Sequence, residues 1–526
     1  MRRRRIQWSI TSQILIIISF FFIPIIVHGF IDDENNDVDE DEGYKVRLEL
    51  VHRHHARFAK HGGGGGGDLD KVEAIKGFIH RDFLRRMRMN QRWGLNHSIS
   101  SHRRKDFETF QMSLHAGADY GLGEYFVHVG VGTPSQKLWL LADTGNELTW
   151  FNCKDTPDTK KSGVRKHHKK SSKKKSRSRH KSRSKSKNKT KHRTKKKTKT
   201  RVGTKTNPCK GSFCPKRSGS FQIVTCSSDK CKIDLSNLFS LAECPRYSDP
   251  CQYDISYVDG SSAKGYFGTD TITVDITNGN KGKLHNLTIG CTKSMHNGIT
   301  FNEETGGILG LGYGKDSFVE KSVIEYGGKF SYCLMDHLSN KNVSNYLTFG
   351  TNNAKLLGEM KKTELLLYPP FYGVNITGIS IGGQMLKIPP QIWDFDANGG
   401  VILDSGTTLT QLVTEAYEPV FEALNKSLSN VNMIFDDFGG LEFCFSSEGF
   451  NMSTVPRLVF HFDGGSRFEP PVKSYIIDVA PDVKCIGIIP INGPGASVIG
   501  NIMQQNHLWE FDLAQFTVGF APSTCT

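Results

Sequence analysis

Short apolar runs dominate the chain from Gly123 to its end. EYFVHVGVG and QKLWLLADTG are separated only by Thr133-Pro134-Ser135, and glycine-rich breaks of the same kind recur throughout. Short runs bounded by Gly, Pro, Asn and Asp are strand signals. Helical spacing in this region is confined to Lys315–Tyr326 and Glu415–Leu428. The pattern predicts an all-β body.

Two of the runs end alike. Residues 140–149 read LLADTGNELT and residues 401–410 read VILDSGTTLT. Each is a strand signal that stops in Asp, a small hydroxyl residue and Gly, and Gly145 and Gly406 give the backbone freedom for a sharp turn. Asp143 and Asp404 are thereby expected at the edge of a dry core. Burying one unpaired carboxylate is costly and burying two is worse, so facing carboxylates lower the cost by sharing a proton. The ionised one can take a proton from water, and the protonated one can hydrogen-bond a carbonyl. Asp-Ser/Thr-Gly is also ordinary turn chemistry. Here, however, both copies follow an apolar run, both continue into Leu-Thr, and no third copy occurs.

Each Asp turn has a later companion. Gly306-Gly307-Ile308-Leu309-Gly310-Leu311-Gly312 follows the first, and Ser497-Val498-Ile499-Gly500-Asn501 the second. No Lys-Ser/Thr follows the glycine run, so a phosphate loop is a poor reading; the glycines fit a strand passing close behind each turn. Between them, residues 251–274 form two alternating runs around Asp259-Gly260, a hairpin signal. Tyr257 precedes that turn, where it either packs on the strand or reaches over a cleft.

The first 28 residues carry Arg2–Arg5 and then an apolar stretch, Ile14–Val27, shorter than a bilayer span needs, and are expected to be a signal peptide. Residues 29–112 are expected to be a removable pro-segment: an acidic run at Asp32–Glu42, a strand pattern at Tyr44–Val51, a tether at Gly62–Gly67 and a basic helical pattern at Val72–Met89. Arg81, Arg85, Arg86 and Arg88 either pair with the two Asp at neutral pH or line a solvated helix. The catalytic body then divides into an N-terminal lobe, 113–350, and a C-terminal lobe, 351–526.

Charge changes the picture less than its total suggests. The 526 residues carry a formal +15, but residues 154–206 alone hold 25 Lys or Arg against 2 Asp, leaving the rest acidic. This Lys/Arg/Ser-rich insert has almost nothing to bury or to stack on bases and reads as a disordered loop. It is either a tolerated solvated insertion or a tether to an anionic polymer, phospholipid surface or nucleic acid. Twelve cysteines without zinc-ligand spacing suit an oxidising compartment. Sequons at Asn286, Asn342, Asn375, Asn425 and Asn451, with others at Asn96 and Asn188, agree with secretion.

These motifs resemble the plant pepsin-type aspartic proteases, the group of nepenthesins, nucellin-like and NANA-like enzymes. GEYFVHVGVGTP at 123, DTGNELTW at 143, CQYDISYVDGS at 251, GILGLG at 307, FSYCL at 330, GGVILDSGTTLTQL and VIGNIMQQN at 498 carry the likeness, which spans about residues 44–526. The resemblance implies two pseudo-symmetric β-barrel-like lobes, a cleft between them and a hairpin flap. It implies Asp143 and Asp404 as the catalytic pair, Thr144 and Ser405 as hydroxyls bracing the two loops, Thr407 as outer donor to the second Asp, and Tyr257 as the flap tyrosine. The usual Ser after the first motif is Asn146, and the usual flap Gly is Val258. Cys153, Cys209, Cys214, Cys226, Cys231, Cys244 and Cys251 resemble the group's cysteine-rich insertion, one of them pairing further along with Cys291; Cys444 with Cys485 and Cys333 with Cys525 are the remaining pairs implied.

The expectation is a secreted, monomeric aspartic endopeptidase made as a zymogen, acting on peptides or proteins without metal or organic cofactor. It would have no membrane span after signal cleavage, and would be destined for the apoplast, cell wall, vacuole or plastid. A non-catalytic pepsin-fold inhibitor of cell-wall hydrolases, and a polyanion-binding adaptor built on the insert, are the rival readings.

Overall fold

The structure, a computed structural model, describes residues 47–52, 125–154, 209–235, 238, 244, 246–256, 262–275, 281–296, 305–336, 345–350, 352, 354–436, 438, 440–492 and 495–525. The signal peptide, most of the expected pro-segment, the insert beyond Lys154, and Tyr257 with Val258 lie outside them.

Strands carry the fold. YFVHVGV (Tyr125–Val131) and QKLWLLAD (Gln136–Asp143) pair antiparallel, with Phe126 opposite Leu141 and Val129 opposite Leu138. Gly132 closes the turn between them at φ 86°, and a Cβ there would meet Ser218 Oγ at 2.6 Å, so only glycine fits. The described residues also contain helices Phe318–Tyr326 and Thr414–Ser427, close to the two helical patterns in the sequence. Ser317 caps the first by accepting the Glu320 N–H, and Gly327 ends it in the left-handed conformation.

The two Asp strands lie in the same local arrangement in each half. In the first, Gln136–Asp143 runs parallel to Thr305–Gly310, while Trp150–Asn152 pairs antiparallel with Thr305–Gly310 and parallel with Lys281–His296. In the second, Val401–Leu403 runs parallel to Ser497–Ile499, while Thr410–Val413 pairs antiparallel with Ser497–Ile499 and parallel with Ile488–Ile491. The glycine-rich companions therefore lie behind the Asp turns.

Both halves share a backing sheet. His507–Asp512 and Thr517–Pro522, from the end of the chain, pair with each other, and the former pairs with Lys329–Cys333, which continues into Tyr346–Phe349. Phe330 and Phe511 stack across this joint at 4.8 Å, and the Cys333–Cys525 disulfide ties it. Strand Arg47–His52, inside the expected pro-segment, pairs antiparallel with two strands in succession: Arg47, Leu48 and Glu49 with Tyr346–Phe349, then Leu50, Val51 and His52 with Tyr125–Val131.

All twelve cysteines are paired. Cys153 takes Cys291, Cys209 takes Cys214, Cys226 takes Cys244, Cys231 takes Cys251, and Cys444 takes Cys485. The first two pin the insert's two feet side by side: Lys154 N–H donates to Phe213 O at 2.8 Å, and Phe213 N–H to Asn152 O at 2.8 Å.

Candidate active site

Asp143 ends its strand at 1 % exposure and Asp404 follows its own at 0 %, so each carboxylate must find its partners inside the protein. Each turn supplies one: Gly145 N–H donates to Asp143 Oδ1 at 2.9 Å, and Gly406 N–H to Asp404 Oδ1 at 2.9 Å. Thr407 Oγ1 donates to Asp404 Oδ2 at 2.7 Å.

The two turns lock together through their hydroxyl residues. Thr144 N–H donates to Ser405 Oγ at 3.1 Å, and Ser405 N–H to Thr144 Oγ1 at 2.8 Å. Thr144 Oγ1 in turn donates to Asp404 Oδ1 at 3.3 Å, and Ser405 Oγ to Ala142 O at 3.2 Å. Residues about 260 apart in sequence thus hold one buried joint. Asn146 turns its side-chain oxygen to its own loop, accepting the Leu148 N–H at 3.1 Å.

The companion strands support the turns from behind in matching fashion. Gly310 N–H donates to Thr149 Oγ1 at 3.2 Å, and Gly500 N–H to Thr410 Oγ1 at 3.3 Å. A Cβ on Gly310 would fall 2.7 Å from Asn146 O, and one on Gly500 2.5 Å from Leu409 O. These are the close approaches that the glycines in ILG and VIG permit.

Behind Asp404 lies a buried polar network to which the sequence reading gave no role. Gln504 Nε2 donates to Ile499 O at 2.7 Å and to Asp404 O at 3.4 Å, while Tyr332 OH donates to Gln504 Oε1. Asn501 Nδ2 donates to Ser405 O at 3.1 Å, and Trp509 Nε1 to Gln504 O at 3.0 Å. Burial, and after it the charge of Asp404, hold the Tyr332 phenol well above its ordinary range, so it stays a neutral donor. The available signal was VIGNIMQQN itself, an amide-rich stretch set among apolar strands.

The one cluster of potential metal-ligating side chains among the described residues is Cys226, Cys231 and Cys244, and disulfides occupy all three. Among the described residues no helix is long and apolar enough to cross a membrane.

Two similar β halves, each presenting an Asp turn and sharing a backing sheet, define a pepsin-like fold. Solved structures agree: soybean basic 7S globulin matches with TM-score 0.55 at 17 % identity over 78 % of this chain and 94 % of that one. Lupine conglutin gamma matches with TM-score 0.54 at 17 % identity over 77 % of this chain and 92 % of that one. Residues 125–211 and 198–351 match the family profile described as Xylanase inhibitor N-terminal, and residues 371–522 its C-terminal counterpart. Aspartyl protease family protein 2 of Arabidopsis thaliana is 30 % identical over 79 % of this chain and 74 % of that protein. Aspartic proteinase nepenthesin-1 of Nepenthes gracilis is 29 % identical over 77 % of this chain and 79 % of that protein. The chain belongs to the plant pepsin-like aspartic protease family.

Proposed function

We propose that this protein is an aspartic endopeptidase in which Asp143 and Asp404 are the catalytic pair. The observation that carries the reading is the joint between their turns, in which Thr144 Oγ1 reaches from one Asp loop to the carboxylate of the other. A water held between the carboxylates loses a proton to the ionised Asp as it attacks the scissile carbonyl. The protonated Asp donates to the carbonyl oxygen, and a proton then passes to the leaving nitrogen. Thr144, Ser405, Gly145, Gly406 and Thr407 hold the pair in place, and Tyr257 has the part of the family's flap tyrosine, contacting the bound peptide. No covalent intermediate or cofactor is needed.

The enzyme is made as a secreted monomeric zymogen, glycosylated in transit to an extracellular or vacuolar destination. Residues 1–28 direct it there and 29–112 form the pro-segment; the pairing of Arg47–His52 with two strands of the body in succession supports a pro-segment integrated with the fold. Residues 154–206 are either a tolerated solvated insertion or a tether to an anionic polymer, and the basic composition of the segment is what supports the second. The test is acid-incubated protein against a peptide library beside Asp143→Asn and Asp404→Asn. Cleavage by wild type and loss of it in both variants is expected, and full activity in either variant sinks the assignment.

A non-catalytic inhibitor of cell-wall hydrolases is the second reading, favoured by the description of the matching family profiles. It requires the wild type to slow a hydrolase such as a xylanase while cleaving no peptide.

A further inference from the structure

The two Asp turns are supported differently from behind. In the first half, the main-chain carbonyl of Asp143 accepts the backbone N–H of Leu311 at 2.8 Å. The corresponding position after the second companion strand is Asn501, whose N–H donates instead to Thr407 O at 2.7 Å. There the short helix Asn501–Gln504 has displaced the chain, and the carbonyl of Asp404 receives a side chain, the Gln504 amide at 3.4 Å. A backbone support in one half is thus an exchangeable side chain in the other.

Gln504 is fully buried, and burying a primary amide is unfavourable unless its donors and acceptor are all engaged. Here they are: the amide nitrogen serves Ile499 O and Asp404 O, and the amide oxygen takes the Tyr332 hydroxyl. Tyr332 lies on Lys329–Cys333 of the backing sheet, directly opposite Trp509, whose indole N–H holds the Gln504 carbonyl. The amide is therefore fixed at both its backbone and its side chain by the sheet that joins the halves.

We infer that Gln504, oriented by Tyr332, is the positioning residue for Asp404 and couples the backing sheet to that carboxylate. The inference rests on the proposed catalytic role of Asp404. With the amide removed, the Asp404 carbonyl is left without this donor, the turn relaxes, and the contacts from Thr144 and Thr407 to the carboxylate loosen. Those donors favour the ionised form of the pair, so the acid limb of the rate profile moves to higher pH.

The test compares Gln504→Met, Gln504→Glu and Tyr332→Phe with wild type and Asp404→Asn. The readouts are peptide hydrolysis across acid pH and amide hydrogen exchange of the segment 401–410. Gln504→Met is expected to lower kcat about 10- to 100-fold with KM little changed, because a small displacement of a catalytic group has that effect. Its acid limb is expected about one pH unit higher, equivalent to one weakened hydrogen bond, and exchange in 401–410 is expected to be faster. Gln504→Glu is the conservative rescue. Burial keeps its carboxyl protonated in acid, where it can accept from Tyr332 and donate to one carbonyl, so near-wild-type kcat at acid pH and collapse toward neutrality are expected. Tyr332→Phe is expected to lower kcat about threefold.

Unchanged exchange in Gln504→Met overturns the inference, as does unchanged kcat or Gln504→Glu no better than Gln504→Met. Faster exchange in Gln504→Met than in wild type, when the wild type cleaves nothing or its cleavage survives Asp404→Asn, sinks the proposed function while leaving the support of the turn by Gln504 standing.

Discussion

Replacing Thr144 by Val nearly preserves side-chain volume and deletes one hydroxyl. That oxygen takes part in two buried bonds, donating to Asp404 Oδ1 at 3.3 Å and accepting the Ser405 N–H at 2.8 Å. Losing a buried hydrogen bond costs about 0.5–1.5 kcal/mol, and leaving a buried N–H without an acceptor about 1–3 kcal/mol. Local relaxation recovers part of this, so Thr144→Val should destabilise the protein by about 1–3 kcal/mol. Its kcat should fall about 10- to 100-fold, because the Asp404 carboxylate loses its brace. Thr144→Ser keeps the oxygen and should recover most of both. Ser405→Ala cuts the reciprocal arm, which accepts Thr144 N–H and donates to Ala142 O. Because both arms serve one joint, the second cut should do less damage than it does alone, with a coupling of about 1 kcal/mol or more. Denaturation midpoints and kcat/KM for wild type, both single variants and the double variant complete the cycle. Effects additive within about 0.5 kcal/mol, or a Thr144→Val protein equal to wild type, would refute the reasoning.

Gly500→Ala places a Cβ 2.5 Å from Leu409 O, so the strand behind the second Asp turn must shift; soluble yield and melting temperature should fall, by about 3 kcal/mol in stability, whereas Gly383→Ala, with nothing within 4 Å of its Cβ, should lose only what its φ of 81° imposes. Burial alone would raise the Asp316 carboxyl, but the hydrogen bond from Lys230 and then the charges of Lys230 and Lys321 leave it below the ordinary carboxylate range. A folded value below the unfolded one means this stabilisation is complete above the unfolded value and is lost as pH falls through the folded one. Asp316→Asn should therefore melt earlier than wild type, by about 1 kcal/mol, at neutral and mildly acidic pH. The gap should close only in strong acid, and a pH-independent gap in calorimetry would contradict the ion pair's role. Joining Lys154 to Cys209 by a short flexible linker should preserve folding and cleavage, because both feet are already pinned by disulfides, and should abolish salt-sensitive retention on a polyanion column; retention unchanged by the deletion would remove the insert from that role.

Local patterns in the sequence accounted for much of this architecture. The apolar run before each Asp, the glycine allowing its turn and the later apolar pair against Gly are contiguous signals, and they correspond to strands ending in braced turns with a parallel strand behind. The helices Phe318–Tyr326 and Thr414–Ser427 were similarly legible from period. What the sequence concealed is set by long-range pairing. Nothing local distinguishes Tyr332 from an ordinary strand tyrosine, since its meaning comes from register with Trp509 on a strand about 180 residues later. Gln504 was visible as a polar residue in an apolar setting, but its partners Ile499, Asp404, Tyr332 and Trp509 lie on four separate stretches of the chain. Nor could spacing show that the strand pattern at 44–51 would pair first with Tyr346–Phe349 and then with Tyr125–Val131. The resemblance implied that one cysteine of the insertion pairs with Cys291; that it is Cys153 follows only from the fold, through the parallel pairing of Trp150–Asn152 with Lys281–His296.

The most direct test is the rate of peptide hydrolysis by the wild-type protein as a function of pH. Two carboxylates sharing one proton require a bell on the acid side, with one limb where the pair gains a second proton and the other where it loses its last. A rate that climbs through neutrality without a maximum in acid would contradict the account.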